Sequence, residues 1–418
     1  MFYQIFKYTG IAAQHLDAPM VEQRSQYLSH RAALGATTST LRIEARYLLA
    51  IAKELPLEPD RMVSSAELES AAHRWHTRAT TRRHRTKDGL CGKRLFLMVA
   101  RHWLTFLDRW QPPAPPPCPE AARLAEFINY LERERGWSPA TIRDLRYRLA
   151  AFLRMCCAPP RSLGDLTMAD IERTLQQEAA QAGWSRISLR KHTDSLRVFL
   201  RYTESRGWST PGLADALALP CLFQGEHLPL GPTWEEVQRL LDAVQGDHPT
   251  AIRDRAILLL LITYGLRAGE VCRLRLEDLD WEREHLTIRR SKQQSRLQTY
   301  PLARTVGDAL LRYLKEARPA CAHREVFITA IAPRQPITTS ILWHIVGPRL
   351  RALQVSLRHV GPHALRHACA THLLAEGFTL KEIGDHLGHR TAEATAHYAR
   401  VDLQGLREVA DFDLGGLL

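Results

Sequence analysis

HLTIRRSKQQSRLQTYPLA, residues 285–303, sets two β-prone runs on either side of the polar stretch SKQQSR, and so reads as a hairpin with its tip near Lys292. Helix-patterned sequence lies on both sides of it. Upstream, TWEEVQRLLDAV places Thr233 and Glu236 in the capping-box pattern ahead of an amphipathic helix. RDRAILLLLITYGLRAGEVCRL then reads as a buried helix running into a glycine turn and a short second helix. Downstream, TTSILWHIVGPRL, PHALRHACATHLLAEG and TLKEIGDHLG keep the helical period. Residues 233–418 are therefore expected to form a mixed α+β domain, helical with a small antiparallel sheet, in a chain that is mainly α.

Two breaks divide what precedes. Residues 209–232 carry repeated proline and glycine between helical stretches and read as a linker. PPAPPPCP, starting at residue 112, can neither continue a helix nor fill a central strand, because proline lacks the amide donor and fixes φ; 112–117 reads as a stiff spacer. Between the breaks, 118–208 is expected to be an all-helical bundle of four or five helices. Leu124, Phe127, Ile128 and Leu131 recur at helical spacing, and Ser138 with Pro139 opens the next helix. Its task is read as DNA contact, with Arg186, Arg190 and Lys191 on one basic helix. Residues 1–111 form a third, helical and basic segment. EARYLLAIAKEL (44–55) echoes DLRYRLAAFLRM (144–155), and SSAELESA (64–71) echoes TMADIERT (167–174). A degenerate duplicate of the middle bundle is one reading of this echo; the leucine spacing shared by any two amphipathic helices is the other. Residues 73–94 carry eight cations, Arg82, Arg83 and Arg85 among them, against the single acid Asp88. That density reads as a phosphate-tracking patch rather than a solvated loop, because the whole chain is also basic.

The chain has 418 residues, 45% of them hydrophobic, so most of it can bury enough surface to fold as two or three domains. Lysine and arginine total 57 against 45 acids, a formal charge of +12 that favours a polyanion, nucleic acid first. The apolar run Ala256–Ile262 is far short of the roughly 20 residues that cross a bilayer. The amino terminus lacks the pattern of a secretory signal, and the eight cysteines show no C-x-x-C spacing, so a cytoplasmic protein with reduced thiols and no membrane contact is expected.

The carboxy-terminal segment holds residue types that suit one reaction. Arg267 sits in YGLRAGE at a glycine-marked helix end, Lys292 at the hairpin tip, and His363 and Arg366 in HALRH on one helix face; His389 lies in LGH and Tyr398 in AHYAR. A phenol oxygen can attack a phosphodiester while arginines clamp the non-bridging oxygens, since the guanidinium fork makes two parallel hydrogen bonds and stays charged. A tyrosine with pKa about 10 needs help losing its proton, which His363 could give, and the departing 5′ oxygen needs a proton, which Lys292 could deliver.

YGLRAGE, SKQQSR before YPL, HALRH, LGH and the following Tyr398, in that order and spacing, resemble the tyrosine recombinase (phage integrase) family. The resemblance implies the tyrosine recombinase fold, with helical DNA-clamping domains before the catalytic domain. It implies Tyr398 as nucleophile, Arg267 and Arg366 as phosphate clamps, Lys292 as general acid, and His363 and His389 assisting, with Glu270 where the family often supports the first arginine. It also implies double-stranded DNA as partner, a synaptic tetramer, accessory recombinases or DNA-bending proteins, and a bacterial mobile element acting at the nucleoid or a plasmid. No cofactor and no metal is implied. SKQQSR lacks the glycine that frequently precedes the family lysine, and Arg289, Arg290 and Arg296 are basic neighbours competing with Lys292. Ala368 stands where the family often has a threonine or serine.

Other readings are weaker. His363 and His367 have the i, i+4 spacing of zinc hydrolases, but Ala364 occupies the place of the general-base glutamate. DGLCGKR (88–94) has too few residues between its glycines for a phosphate-binding loop and no Ser or Thr after the lysine. Cys369 has small apolar neighbours and reads as a packed thiol. A DNA-binding protein without catalysis, and a topoisomerase that relaxes DNA by the same chemistry, share the charge and the helices.

Overall fold

The computed structural model describes residues 1–55, 61–81, 89–113, 117–159, 161–221, 231–290, 297–354, 360–389, 391 and 393–396. The chain divides into two compact units, Pro112–Glu226 and a second made of Met1–Gln111 with His227–Leu418.

In the carboxy-terminal part of the second unit, the apolar helix Pro249–Thr263 is the central strut. It buries residues all round, from Ile252 and Ala256 to Leu260 and Ile262, as its unbroken hydrophobic run requires. Helices Trp234–Asp242, Arg304–Arg312 and Pro362–Ala375 pack on it. The capping box read at Thr233 and Glu236 is formed, each side chain bonding the other's backbone amide. His285–Arg289 pairs antiparallel with Leu297–Pro301, Leu286 opposite Tyr300 and Ile288 opposite Gln298. A third strand, Leu279–Asp280, adds to the edge of His285–Arg289. That strand is not legible in the sequence: two residues inside the acid-rich LEDLDWERE carry no alternation to read.

The unit Pro112–Glu226 contains helices Ala121–Arg133, Pro139–Cys156, Met168–Ala182 and Arg186–Ser205 around one core. Ser138 caps the second through the amide of Thr141, with Pro139 in the first turn, as the sequence indicates. The linker read at 209–232 begins too early. Leu213–Ala216 is a short helix, and Leu213, Ala214 and Leu217 are buried in the bundle's core, so this stretch belongs to the bundle despite the Pro211 and Gly212 before it. Arg197 fixes it by donating to the carbonyls of Ala214 and Leu217.

Residues 1–111 are helical as expected, with Val21–Ala33, Thr38–Glu54, Ser65–Thr81 and Gly89–Phe106 enclosing a core that includes Trp103, Phe96 and Leu48. Val63–Ser64 and Trp110–Gln111 form a short parallel ladder. Two arginines lie inside this bundle. Arg31 is paired with Glu44 at 2.7 Å, and Arg24 donates to the carbonyls of His15, Ala18 and Pro19. Among the described residues no helix is long and apolar enough to cross a membrane.

Candidate active site

Arg267 is the N-cap of the short helix Ala268–Cys272, whose third residue is Glu270. The Glu270 carboxylate accepts from the Arg267 amide at 2.8 Å and from its guanidinium at 2.9 Å. Glu270 is wholly buried, while 41% of the Arg267 side chain stays exposed, so the carboxylate aims a cation outward without itself meeting solvent. Its second partner is Arg290, at the end of the first hairpin strand, at 2.8 Å. Burial pushes the Glu270 carboxyl up, but the Arg290 charge and the hydrogen bonds from both arginines outweigh it and hold the group below the usual carboxylate range.

Arg290 also donates to Gln298 and to the hydroxyl of Tyr300, both on the second strand. The Tyr300 hydroxyl in turn donates to the His386 carbonyl, and the Gln298 amide donates to the Asp385 carbonyl at 2.7 Å. Burial pushes the Tyr300 phenol up to about 12, which suits a hydrogen-bond donor rather than a nucleophile. The hairpin base is thereby tied to the end of helix Leu380–Leu387, the stretch that leads into His389. Gly388 closes that helix at φ +64, and a side chain there would run into the Arg290 guanidinium at 2.6 Å.

Arg366, on helix Pro362–Ala375, is 1% exposed and joins the remaining pieces. It donates to the carbonyl of Gly265, two residues before Arg267, and to that of Leu387, two before His389. Gly265 has φ +55, and a side chain there would meet Leu387 and Cys369, so the glycine of YGLR lets these elements close on one another. Cys369 is a packed thiol as read, pushed by burial up to about 12. His389 has its Nδ1 2.6 Å from the Thr395 hydroxyl. His363 lies exposed one turn before Arg366, its ring edge-on to His367 at 4.4 Å.

The structure thus brings the Arg267, Glu270, Arg366 and His389 segments together through shared carboxylate and carbonyl acceptors, with His363 on the same helix as Arg366. Lys292 and Tyr398 lie outside the described residues, as do Arg82, Arg83 and Arg85. Two of the cations competing with Lys292 have other tasks: Arg289 is paired with Asp278 at 2.8 Å, and Arg290 is buried on Glu270. Sequence reasoning misses Arg290, Gln298, Tyr300 and His386 as parts of the site. Strand alternation holds the signal for Arg290, since Leu286, Ile288 and Arg290 share one face and all are buried. In the middle unit Arg186 and Lys191 are exposed, and Arg190 donates to the Pro220 carbonyl and faces Asp194.

Residues 233–404 match the phage integrase family, and 124–207 match the phage integrase N-terminal SAM-like domain. The tyrosine recombinase XerC of Mycobacterium sp. (strain KMS) is 32% identical over 303 residues, which cover 69% of this chain and 97% of that protein. The chain belongs to the tyrosine recombinase family. The Sinorhizobium fredii protein y4rF is 35% identical over 300 residues, 70% of this chain and 69% of that one. Among solved structures, the lambda integrase (75–356) dimer on a COC′ core site shares the recombinase fold, with a TM-score of 0.54 at 18% identity over 66% of this chain and 94% of that one. The integrase of the Tn1549 transposon does so too, with a TM-score of 0.53 at 18% identity over 68% of this chain and 99% of that one. The protein is a site-specific tyrosine recombinase with a mainly helical fold and a small antiparallel sheet.

Proposed function

We propose that this recombinase cuts and rejoins duplex DNA at a defined site of a bacterial mobile element, through a tyrosyl ester on Tyr398. The Tyr398 phenol oxygen attacks the scissile phosphorus and its proton passes to His363. The bond to the 5′ oxygen breaks as Lys292 protonates that oxygen, leaving a 3′-phosphotyrosyl ester and a free 5′ hydroxyl. A 5′ hydroxyl from a second duplex then attacks the ester, restoring the phosphodiester and releasing tyrosine. The ester conserves the energy of the broken bond, so no nucleotide is consumed. Arg267, Arg366 and His389 supply the positive charge and donors that the transition state meets, preset before substrate arrives.

The observation that carries this reading is the Glu270 carboxylate. Burying it fully is costly unless it is paired, and it is paired so as to leave Arg267 facing outward in a fixed pose. A regulator that only binds DNA needs no such clamp beside the YGLR turn. In the reading proposed here, the middle bundle grips the duplex through Arg186, Arg190 and Lys191, four copies assemble on two duplexes, and the reaction takes place in the bacterial cytoplasm at the nucleoid or a plasmid. The residue chemistry calls for neither metal nor cofactor.

Strand exchange tests it. The full chain is incubated in chelator with two labelled duplexes of different length taken from the flanks of its own gene. Products of recombinant length are expected. Binding without any cleavage would favour a DNA-binding role, and relaxation of supercoiled plasmid without exchange would favour a topoisomerase.

A further inference from the structure

Helices Val21–Ala33, Thr38–Glu54, Ser65–Thr81 and Gly89–Phe106 repeat the order of the four long helices of the middle unit, and the repetition extends to single residues. In the first helix of each, the buried positions are Arg24, Tyr27, Leu28 and Arg31 against Leu124, Phe127, Ile128 and Leu131. A left-handed glycine follows in both, Gly35 and Gly136. The second helices are capped alike, Thr37 by the amide of Thr40 and Ser138 by that of Thr141. They bury Leu41, Glu44, Leu48 and Ile51 against Ile142, Leu145, Leu149 and Phe152.

The third helices open on the same reciprocal cap. Ser64 and Glu67 bond each other's backbone amide, as Thr167 and Asp170 do, with Leu68 and Ile171 buried next. In the fourth, Phe96, Val99 and Ala100 stand where Leu196, Phe199 and Leu200 stand. Even the exit repeats. The Arg109 amide bonds the Leu104 carbonyl and the Trp208 amide bonds that of Thr203, after the left-handed residues Asp108 and Gly207. Any two amphipathic helices share leucine spacing, but not four helix ends, two cap types and two left-handed turns in one order.

The departures are as telling. Leu131 and Leu145, both buried in the middle bundle, correspond to Arg31 and Glu44, a buried ion pair; Leu124 corresponds to Arg24, whose charge is spent on three backbone carbonyls. Polar residues at these core positions hide the hydrophobic pattern.

Cations gather at the same joint of both bundles, where the third helix passes to the fourth. In the middle unit these are Arg186, Arg190 and Lys191. In the amino-terminal one Arg78 stands in the last turn of the third helix with Arg74 one turn before it, Lys93 and Arg94 lie near the start of the fourth, and the sequence between adds Arg82, Arg83, Arg85 and Lys87. Several are already near acids: Glu54 faces Arg74 and Arg78, and Glu69 faces Lys93 and Arg101. The Glu69 pairs are exposed and each worth at most about 1 kcal/mol, so a phosphate row can compete for Lys93 and Arg101.

We infer that residues 21–109 are a second copy of the SAM-like bundle and that this copy also holds duplex DNA, giving each protomer two helical grips on the double helix rather than one. The inference rests on the reading of the middle bundle as a DNA grip. An acidic protein partner would meet the same charges, but the matched joint favours the polyanion assigned to the first copy.

Removing a cation that neutralises a phosphate weakens the salt dependence of binding, by about 0.9 in the slope of log K against log salt for each phosphate left unpaired. Binding of the full chain to a long random-sequence duplex is measured over a salt series. Arg82→Ala, Arg83→Ala, Arg85→Ala and Arg94→Ala together are expected to lower the slope by up to roughly 3.6. Arg186→Ala with Lys191→Ala lowers it separately, and lysine at the four amino-terminal positions restores it. An unchanged slope for the amino-terminal variant beside a lowered one for the middle variant would overturn the second grip while sparing the first. No change in either would overturn both. A loss that lysine does not restore would also overturn it, because charge would not be the cause.

Discussion

Glu270→Ala is expected to lower thermal stability and cleavage together. The substitution leaves Arg290 buried, with 7% of its side chain exposed, and without its carboxylate. Breaking a buried pair by removing one partner typically costs about 3–5 kcal/mol, which in a domain of this size lowers Tm on the order of 10 °C. Arg267 loses both bonds that aim it, and removal of one preset transition-state donor lowers turnover roughly 100-fold or more. Calorimetry, with single-turnover cleavage at a temperature where the variant remains folded, separates the two effects. The wild-type contribution also depends on pH in a fixed direction. Because the folded Glu270 carboxyl lies below its ordinary value, its stabilisation is present above the normal carboxylate range and is lost as pH falls through the lowered value. A variant with unchanged Tm and unchanged cleavage would mean that neither arginine depends on this carboxylate.

The second large effect lies in the amino-terminal bundle. Arg31→Leu strands Glu44, whose side chain is only 7% exposed, and is expected to destabilise the bundle by about 3–5 kcal/mol. Arg31→Leu with Glu44→Leu should recover the whole loss, since the middle bundle holds Leu131 and Leu145 at those positions. Replacing a buried ion pair by packed apolar residues is often neutral or stabilising by about 1–4 kcal/mol. Denaturant melts of the three proteins decide it. A double variant no better than the single one would show that the two bundles pack differently at this layer.

Local signals are the legible part of the sequence. Thr233 with Glu236 and Ser138 with Pro139 mark helix starts by side-chain chemistry that needs no tertiary context, and the structure has them as read. The hairpin shows because its two runs alternate around a polar break. What depends on packing is harder to see. Arg290 looks like one more basic residue near Lys292 until the strand's inward face is followed to Glu270. Residues 209–217 look like linker because Pro211 and Gly212 open a stretch, 209–232, that carries repeated proline and glycine, whereas Leu213 and Leu217 decide where they lie. The echo between 44–55 and 144–155 reads one residue out of step. Arginine and tyrosine identities align Arg46 with Arg146 and Tyr47 with Tyr147, but burial and capping align Leu48 with Leu149 and Thr37 with Ser138. Surface identities set the first register and the core sets the second.

The central claim is that Tyr398 takes the DNA strand covalently. Wild type and Tyr398→Phe are incubated with labelled, nicked duplexes from the flanks of the gene and resolved under denaturing conditions. A protease-sensitive, slowly migrating band with wild type alone, its label on the fragment that lies 5′ of the break and ends in the 3′ phosphate, is the expected result. A covalent band that persists in Tyr398→Phe would contradict it, as would two proteins that bind the duplex equally and never become attached.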